Sequence, residues 1–441
     1  MDNHEEELRK EIDERIEQIY KIRKESEKFV SGVSKVNYAG RVYDENEMKA
    51  LVRSSIDFWL TLGPECIKFE KQMAEYLGMK KFIVCNSGSS ANLLAISALC
   101  TNLIDNPLKE GDEVITVAAT FPTTLAPIIQ NRLIPVFVDV ELETYNIDAS
   151  KIEEAMSDRT RAIIFPHTLG NPAEIDKIMN IARKHNLYVI EDNCDALDSR
   201  YDGKLTGSFG DISTYSFYCA HHMTMGEGGG LATNNPKIAR AILSLRDWGR
   251  DCFCQTGEKN KNGACGNRFS NRFPLLPEGY DHKYIYSNIG YNLKPLDLQC
   301  AIGLEQLKKL PEFSKKRREN FKKLYECFKK YEDKVILPKS YPKSEPSWFS
   351  FPITIRENAE FKRENIIKFL ESKNIETRML FGGNILKQPG FCNIKCRIIN
   401  ELKNTNIILN NTFFIGVYPG IDKERMDYII QSVDEFFRYK K

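Results

Sequence analysis

The chain has 441 residues, 42% of them hydrophobic, and a formal net charge of only +2. This length can bury two sizeable cores, and the near-neutral charge gives no reason to expect nucleic acid or an anionic membrane as a partner. No apolar run reaches the roughly 18 residues that a membrane-spanning helix needs. The charged N-terminus also lacks the apolar segment of a signal peptide. We therefore expect a cytoplasmic protein.

The first part of the chain predicts an α/β domain behind a charged extension. Residues 1–40 are expected to form a helical extension, because residues 1–30 are rich in Glu, Lys and Arg. From about residue 50 to residue 245, short apolar runs alternate with stretches of helical periodicity. This alternation predicts a mostly parallel sheet covered on both faces. The predicted strands are 82–85, 113–116, 135–139, 162–166 and 188–191, and the predicted helices are 89–100, 122–131, 150–157 and 174–185.

The second part begins with residues 250–285, which are rich in Gly, Asn, Lys and Cys and show little periodicity. We expect a long loop or insertion there, and a loop of this length usually has a function. A helix over 297–331, in which Pro311 can cause a break, leads out of the first domain. The strands predicted beyond this helix are 348–355 and 412–418. The chain is thus expected to consist of the extension 1–40, a large domain 41–305 that contains the insertion, and a small α+β domain 306–441.

Two short segments suggest a pocket for a phosphorylated ring. Residues 86–92 form a Gly/Ser turn between a strand and a helix, where backbone N–H groups can bind a phosphate, although an ordinary capped helix start would look the same. Asp192 ends a strand about 100 residues later. A carboxylate there can pair with a pyridinium nitrogen and make the ring an electron sink. Phe121 can cover a ring face or belong to the core.

In order and spacing, these segments resemble the DegT/DnrJ/EryC1/StrS family of sugar aminotransferases and dehydratases, over about residues 40–440. The resemblance includes the turn at 290–293 and the helix start at 299–304. It implies the aspartate-aminotransferase-like fold, fold type I of the pyridoxal-phosphate-dependent transferases, and a homodimer with the cofactor at the interface. The cofactor-binding residues that it implies are Gly88, Ser89 and Ser216 for the phosphate, Phe121 and Asp192 for the ring, Asp195 beside them, and Asn292 for the partner subunit's site.

Residues 216–229 resemble the cofactor-anchoring segment of this family, except that His221 stands where the lysine should be. A lysine amine can form a Schiff base with the cofactor aldehyde. Histidine has no primary amine but can move protons near neutral pH. The substitution predicts a cofactor held without a covalent bond and His221 as general base, with Tyr218 assisting proton transfer or steadying a radical. The alternative is a histidine pair, His221 and His222, that belongs to the core or the surface.

Within the family, residues 220–229, 377–384 and 416–420 resemble the 3-dehydratases that have histidine at this position. The resemblance implies removal of the C3 hydroxyl from CDP-4-keto-6-deoxyglucose, with pyridoxamine 5′-phosphate as cofactor. This step leads to the 3,6-dideoxyhexoses of bacterial lipopolysaccharide and its O-antigen. The resemblance also implies a flavin/iron–sulfur reductase as partner, which completes the deoxygenation.

Four of the twelve cysteines form a candidate metal set. The chain places 57 residues between Cys194 and Cys252, one between Cys252 and Cys254, and ten between Cys254 and Cys265. Four thiolates suit a two-iron cluster or tetrahedral zinc, although the spacing is not that of a zinc ribbon. The resemblance implies a [2Fe-2S] cluster on these cysteines, with a longer last spacing here that makes Cys265 the least certain ligand. The alternative is a set of reduced, unrelated thiols.

Three other functions remain open from the sequence. One is a cluster-free GDP-4-keto-6-deoxymannose 3-dehydratase, which regenerates its cofactor from glutamate and has no use for the four cysteines. Another is an ordinary sugar aminotransferase of the same fold. The third is a non-enzymatic relative, which would be expected to lose the pocket residues as well. Arg378 and Lys294 can bind a substrate diphosphate or lie on a solvated face.

Overall fold

The computed structural model describes residues 3–252, 268–269 and 273–439. The helices in this part of the chain are α1 (Asn3–Ser26), α2 (Glu45–Asp57), α3 (Pro64–Leu77), α4 (Gly88–Leu99), α5 (Pro122–Gln130), α6 (Ile152–Ala155), α7 (Ile175–His185), α8 (Pro236–Arg246), α9 (Asp297–Lys329), α10 (Arg363–Ser372), α11 (Lys403–Asn411) and α12 (Lys423–Tyr439). None of them is long and apolar enough to cross a membrane.

The strands of the same ranges form two main sheets and a small three-stranded one. Their bounds are β1 (Lys81–Cys85), β2 (Glu113–Val117), β3 (Ile134–Val138), β4 (Thr160–Pro166), β5 (Tyr188–Asp192), β6 (Arg200–Tyr201), β7 (Lys204–Leu205), β8 (Ile212–Ser216), β9 (Gly229–Thr233), β10 (Val335–Ile336), β11 (Ser344–Glu345), β12 (Ser350–Ile355), β13 (Thr377–Met379), β14 (Arg397–Ile398) and β15 (Thr412–Gly416).

The larger sheet has the order β1-β9-β8-β5-β4-β2-β3-β14. Strands β8, β5, β4, β2, β3 and β14 run parallel to one another, whereas β9 is antiparallel to both β8 and β1. Its central strands are buried along nearly their whole length, and buried apolar side chains cover both faces. This agrees with the predicted mostly parallel sheet, because strands that are buried on both faces appear as continuous apolar runs.

Strands β8 and β9 lie beyond the strands that the sequence predicted. In β9, a Cβ on Gly229 would come within 2.2 Å of the Ser87 backbone, and one on Gly230 within 2.2 Å of the Phe82 ring. The two glycines therefore permit a close approach of β9 to β1 and to the start of α4. A strand that begins with two glycines has little β propensity, and tertiary packing decides its conformation.

The smaller sheet has the order β10-β12-β15-β13 and is antiparallel. Helices α9, α10 and α12 contribute to the apolar cluster on it. Pro311 lies inside α9 and does not break it, contrary to the break considered from the sequence. Proline removes one backbone hydrogen bond, but both halves of α9 are held by buried side chains such as Leu310 and Phe313. The predicted division into domains at residues 40 and 305 remains a prediction, and α9 runs across the second boundary.

Candidate active site at the carboxyl ends of the strands

A cavity of about 800 Å³ lies where the parallel strands end. It is bounded by Pro166 at the end of β4, Asp192 at the end of β5, Ser216 at the end of β8, and the first turn of α4. Ligands of open α/β sheets bind at this edge, because the loops after the strands meet there. Of the residues considered from the sequence, those that line the cavity are Gly88, Ser89, Phe121, Asp192, Cys194, Asp195, Ser216, Tyr218, His221 and Arg378.

One end of the cavity is suited to a phosphate. Ser87 caps α4, its Oγ accepting a hydrogen bond from the Ser90 N–H at 3.1 Å. A Cβ on Gly88 would lie 2.5 Å from the Cβ of Ser216, so only glycine lets the helix start approach β8 this closely. Ser89 Oγ is 3.3 Å from Thr123 Oγ1. Backbone N–H groups at the start of a twelve-residue helix, together with these hydroxyls, are donors of the kind that bind anions.

Asp192 is held rigidly in the cavity wall. Its Oδ2 accepts hydrogen bonds from Asn92 Nδ2 at 2.9 Å and from Thr124 Oγ1 at 2.7 Å. Thr214 Oγ1 donates to Asn92 Oδ1 at 2.7 Å and so fixes the orientation of the amide. Sequence reasoning missed these three supporting residues. For Asn92 a signal existed, because it is a buried polar residue in an otherwise apolar part of α4.

His221 faces the same cavity. Its Nδ1 lies 3.4 Å from Asp195 Oδ1 without forming a good hydrogen bond, and the two side chains are only 16% and 13% exposed. The Phe349 ring, which sequence reasoning also missed, lies 5.4 Å from the imidazole at an angle of 47°. Tyr218 lines the cavity and is half exposed. The arrangement places an imidazole with one nitrogen toward an acid and the rest of the ring toward the cavity.

The neighbouring His222 points into the protein interior. It is 2% exposed, and its Nε2 donates to the carbonyl oxygen of Ser347 at 2.6 Å. Burial, together with the positive charge of Arg317, lowers the pKa of His222 well below its usual 6.5. The structure therefore separates the pair into one imidazole at the cavity and one neutral, buried imidazole.

The cavity lining contains no lysine in the part of the chain that the structure describes. Arg378 is its basic residue besides His221, with the guanidinium 4.5 Å from the Tyr38 ring and paired with Glu376. Lys294 lies elsewhere, with Nζ 3.3 Å from the centre of the Trp248 ring. Of the two basic residues considered for a diphosphate, only Arg378 is thus at the cavity.

Asn292 is exposed and lies outside the cavity of its own chain. Its backbone forms a bridge with Asp247, and its Oδ1 accepts a hydrogen bond from Lys294 Nζ at 2.6 Å. Its predicted role in the partner subunit's site remains a prediction.

The predicted cysteine set is only partly described. Cys194 lines the cavity, 3.1 Å from the position of a Cβ on Gly88, and burial, followed by the charge of Asp192, raises its pKa well above 9.0. Cys252 is half-buried at the end of the first described range. Cys254 and Cys265 lie outside the described residues. Within the described ranges, no three His, Cys, Asp or Glu residues are grouped as metal ligands, so the structure by itself does not provide a complete cluster site.

The mostly parallel sheet, with a cavity where its strands end, has the aspartate-aminotransferase-like fold of pyridoxal-phosphate-dependent enzymes, which it shares with the solved structures that it matches. The chain belongs to the DegT/DnrJ/EryC1/StrS aminotransferase family, whose model matches residues 42–434. Both the family and the fold expected from the sequence are thereby confirmed.

The chain is similar to several named proteins of this group. It is 49% identical to the lipopolysaccharide biosynthesis protein RfbH of Salmonella typhimurium, over 93% of each chain. It is 48% identical to the dTDP-4-dehydro-2,6-dideoxy-D-glucose 3-dehydratase of Saccharopolyspora spinosa, over 95% of this chain and 90% of that protein. Among solved structures, it matches the E. coli GDP-4-keto-6-deoxy-D-mannose-3-dehydratase with bound hydrated PLP with a TM-score of 0.81 and 30% identity, over 91% of this chain and all of that one.

Proposed function

We propose that this protein is a pyridoxamine-phosphate-dependent nucleotide-sugar 3-dehydratase, and that its substrate is CDP-4-keto-6-deoxyglucose. The single observation that carries the proposal is His221 at a cavity whose described lining contains no lysine. Two relatives with names of 3-dehydratases, on dTDP- and GDP-linked sugars, support the reaction class. The choice of a CDP-linked sugar rests on the resemblance of residues 220–229 and 377–384.

The cavity residues fit the cofactor. The start of α4 and Ser216 would bind its phosphate, Asp192 would pair with its ring nitrogen, and Phe121 would cover the ring. The firm support of Asp192 by Asn92 and Thr124 keeps a carboxylate in place for a protonated ring nitrogen. When bound, the cofactor supplies an amine that condenses with the sugar ketone and a ring that accepts electrons.

His221 is the proton carrier in this proposal. Its Nδ1 faces Asp195, which leaves Nε2 to accept a proton from the C4′ carbon next to the cofactor amine. A hydroxide then leaves C3 of the sugar, and the proton on His221 allows it to depart as water. Asp195 stabilises the imidazolium that forms. Because there is no amine at position 221, no covalent bond to the cofactor forms there.

The test uses the purified protein with pyridoxamine phosphate and three 4-keto-6-deoxyhexoses, linked to CDP, GDP and dTDP. In deuterated water, we expect deuterium at C4′ of the cofactor and loss of the C3 hydroxyl, as water, from CDP sugar that is joined to the cofactor amine, read by mass spectrometry; release of the 3-deoxy sugar would also need the reductase and two electrons. A faster reaction with the GDP sugar and added glutamate would establish the cluster-free alternative. Net transfer of an amino group to the sugar would overturn the dehydratase proposal.

We also propose a homodimer in which Asn292 completes the partner subunit's site. Its support is the exposed position of Asn292 away from its own cavity. Mixing a His221→Asn protein with an Asn292→Ala protein tests this, because each hybrid dimer has one site with neither substitution if Asn292 serves the partner subunit. We expect recovered activity in the mixture, and no recovery would contradict a shared site.

We further propose a [2Fe-2S] cluster on Cys194, Cys252, Cys254 and Cys265, reduced by a flavin/iron–sulfur reductase. The support is the cysteine spacing together with the place of Cys194 at the cavity. Protein purified under nitrogen should contain about two irons per chain. Serine at Cys254 should remove them, whereas serine at the exposed Cys392 should not. An iron-free protein after anaerobic reconstitution would contradict the cluster and leave the dehydration step to be judged separately.

A further inference from the structure

Arg317 is a fully buried charge close to the candidate base. It lies in the middle of α9, is 1% exposed, and is among the largest fully buried side chains of the described residues. None of its hydrogen bonds in this part of the chain goes to a carboxylate, and its Nε has no partner. Burial lowers the pKa of Arg317 to about 9, opposed by the charge of Asp195, so the guanidinium remains charged at neutral pH.

The three hydrogen bonds that Arg317 makes within the described ranges go to backbone carbonyl groups beside the cavity. Its Nη1 donates to the carbonyl oxygens of Trp348 at 3.2 Å and Phe349 at 3.0 Å. Its Nη2 donates to the carbonyl oxygen of His221 at 3.2 Å. The Phe349 ring in turn lies against the His221 imidazole. One rigid guanidinium therefore connects the backbone of the base to the backbone of the ring that packs on it.

Core packing alone does not account for this residue. A buried cation with no carboxylate hydrogen-bonded to it destabilises a fold, and an apolar side chain of similar size would fill the space at a lower cost. The planar guanidinium, in contrast, can bind several carbonyl groups at fixed angles. Arg317 does not line the cavity, so any action on the reaction passes through His221.

We infer that Arg317 is a positioning residue. It holds the His221 backbone and the Phe349 ring in a fixed relative position, so that the imidazole keeps one orientation in the cavity. The inference rests on the proposed role of His221 as base. It adds a residue from the middle of α9 to a site otherwise built from strand ends, their loops and the first turns of α4 and α5.

The chain offers a matched control in the next residue. Arg318 also donates to two backbone carbonyl groups, those of Pro346 at 3.0 Å and Asp198 at 3.0 Å, and neither bond goes to His221 or Phe349. The variants are therefore Arg317→Met, which removes charge and hydrogen bonds, Arg317→Lys, which keeps the charge and part of the hydrogen bonds, and Arg318→Met.

The first readout is the NMR signal of His221 in protein labelled at histidine Cε1, assigned with His221→Asn. The Phe349 ring current shifts this signal, so a displaced imidazole changes it, whereas the signal of the buried His167, whose ring bonds to Glu191 and Ala173, reports an intact fold. We expect the His221 signal to move in Arg317→Met, to move less in Arg317→Lys, and to stay in place in Arg318→Met.

The second readout is exchange of the C4′ proton of pyridoxamine phosphate in the presence of the CDP-linked 4-keto-6-deoxy sugar. In Arg317→Met we expect the exchange rate at saturating sugar to fall about 10²-fold, with little change in the half-saturating sugar concentration, because misplacement of a base affects the chemical step. Arg317→Lys should recover part of the rate.

If the Met variant does not fold, the Lys variant carries both readouts. An unmoved His221 signal with an unchanged rate in the folded variants would overturn the inference. Absence of exchange in the unaltered protein would contradict the proposed function, while the NMR comparison would still decide the inference.

Discussion

Two histidine–acid pairs lie near the ends of the parallel strands, and they differ in how fully their polar atoms are bonded. His167 Nε2 is 3.0 Å from Glu191 Oε2, and both side chains are completely buried. His167 Nδ1 accepts from the Ala173 N–H, and the remaining bonds to Glu191 come from the backbone N–H groups of Gly207, Phe209 and Gly210. The pair of His221 and Asp195 is longer, at 3.4 Å, and His221 Nδ1 has no hydrogen bond.

The difference shows which pair serves the fold and which is available to a ligand. Neighbouring residues of a strand point to opposite sides, so Glu191 enters the interior while Asp192 reaches the cavity. Burial alone would raise the pKa of Glu191, but the bonds from His167 and the backbone outweigh it and lower the pKa. A fully bonded pair fixes the loops behind the strands. A pair with unused bonding capacity at a cavity can exchange protons with something that binds there.

The largest expected effect comes from the pair of His221 and Asp195 at the cavity. His221→Asn removes the nitrogen that accepts the proton and should lower C4′ proton exchange about 10²- to 10⁴-fold. Because the side chain lines a cavity, the melting temperature and the affinity for pyridoxamine phosphate should change little. Exchange is followed by NMR in deuterated water, and cofactor binding by absorbance. Retained exchange in a folded variant would remove His221 from the role of base.

The fully bonded pair of His167 and Glu191 should instead affect stability and leave proton exchange intact. Glu191→Gln leaves a donor amide among backbone N–H groups that need an acceptor, and we expect a loss of about 3–5 kcal/mol in the free energy of unfolding, as when one partner of a buried pair is removed. Urea unfolding measures this. The folded fraction should still exchange the C4′ proton. A variant with normal stability and lost exchange would show that the contrast between the two pairs is wrong.

Asp195→Asn should have a smaller effect than His221→Asn, because it weakens only the orientation and charge stabilisation of the imidazole. We expect exchange to fall about 10- to 100-fold, the range known for partners that orient metal-bound histidines. The matched control is Asp198→Asn, a buried acid that accepts from Tyr76 away from the cavity. Equal exchange rates in Asp195→Asn and the unaltered protein would show that Asp195 does not act on His221.

The sequence predicted the parallel core and the cavity better than the supports behind them. The apolar runs of β2, β4 and β5 are long enough to be recognised, whereas β9 begins with two glycines and forms because β1 and β8 lie on either side of it. Likewise, the position of His221 follows from the motif around it. Local sequence does not show that Phe349 and Arg317 meet it, because these contacts join segments about a hundred residues apart.

The smallest expected effect is the contribution of the buried His222 to the pH dependence of the free energy of unfolding. The folded protein keeps His222 neutral because its pKa is lowered well below 6.5, whereas the unfolded chain binds a proton near pH 6.5. The unfolded state therefore holds more protons as the pH falls below about 6.5, and His222 lowers stability there by up to about 1.4 kcal/mol per pH unit. His222→Gln can keep the donor to the Ser347 carbonyl without titrating, so its stability should fall less steeply between about pH 6.5 and pH 5.5. Urea unfolding of both proteins across this range measures the difference in slope, and identical slopes would mean that His222 takes up its proton equally well in the folded protein.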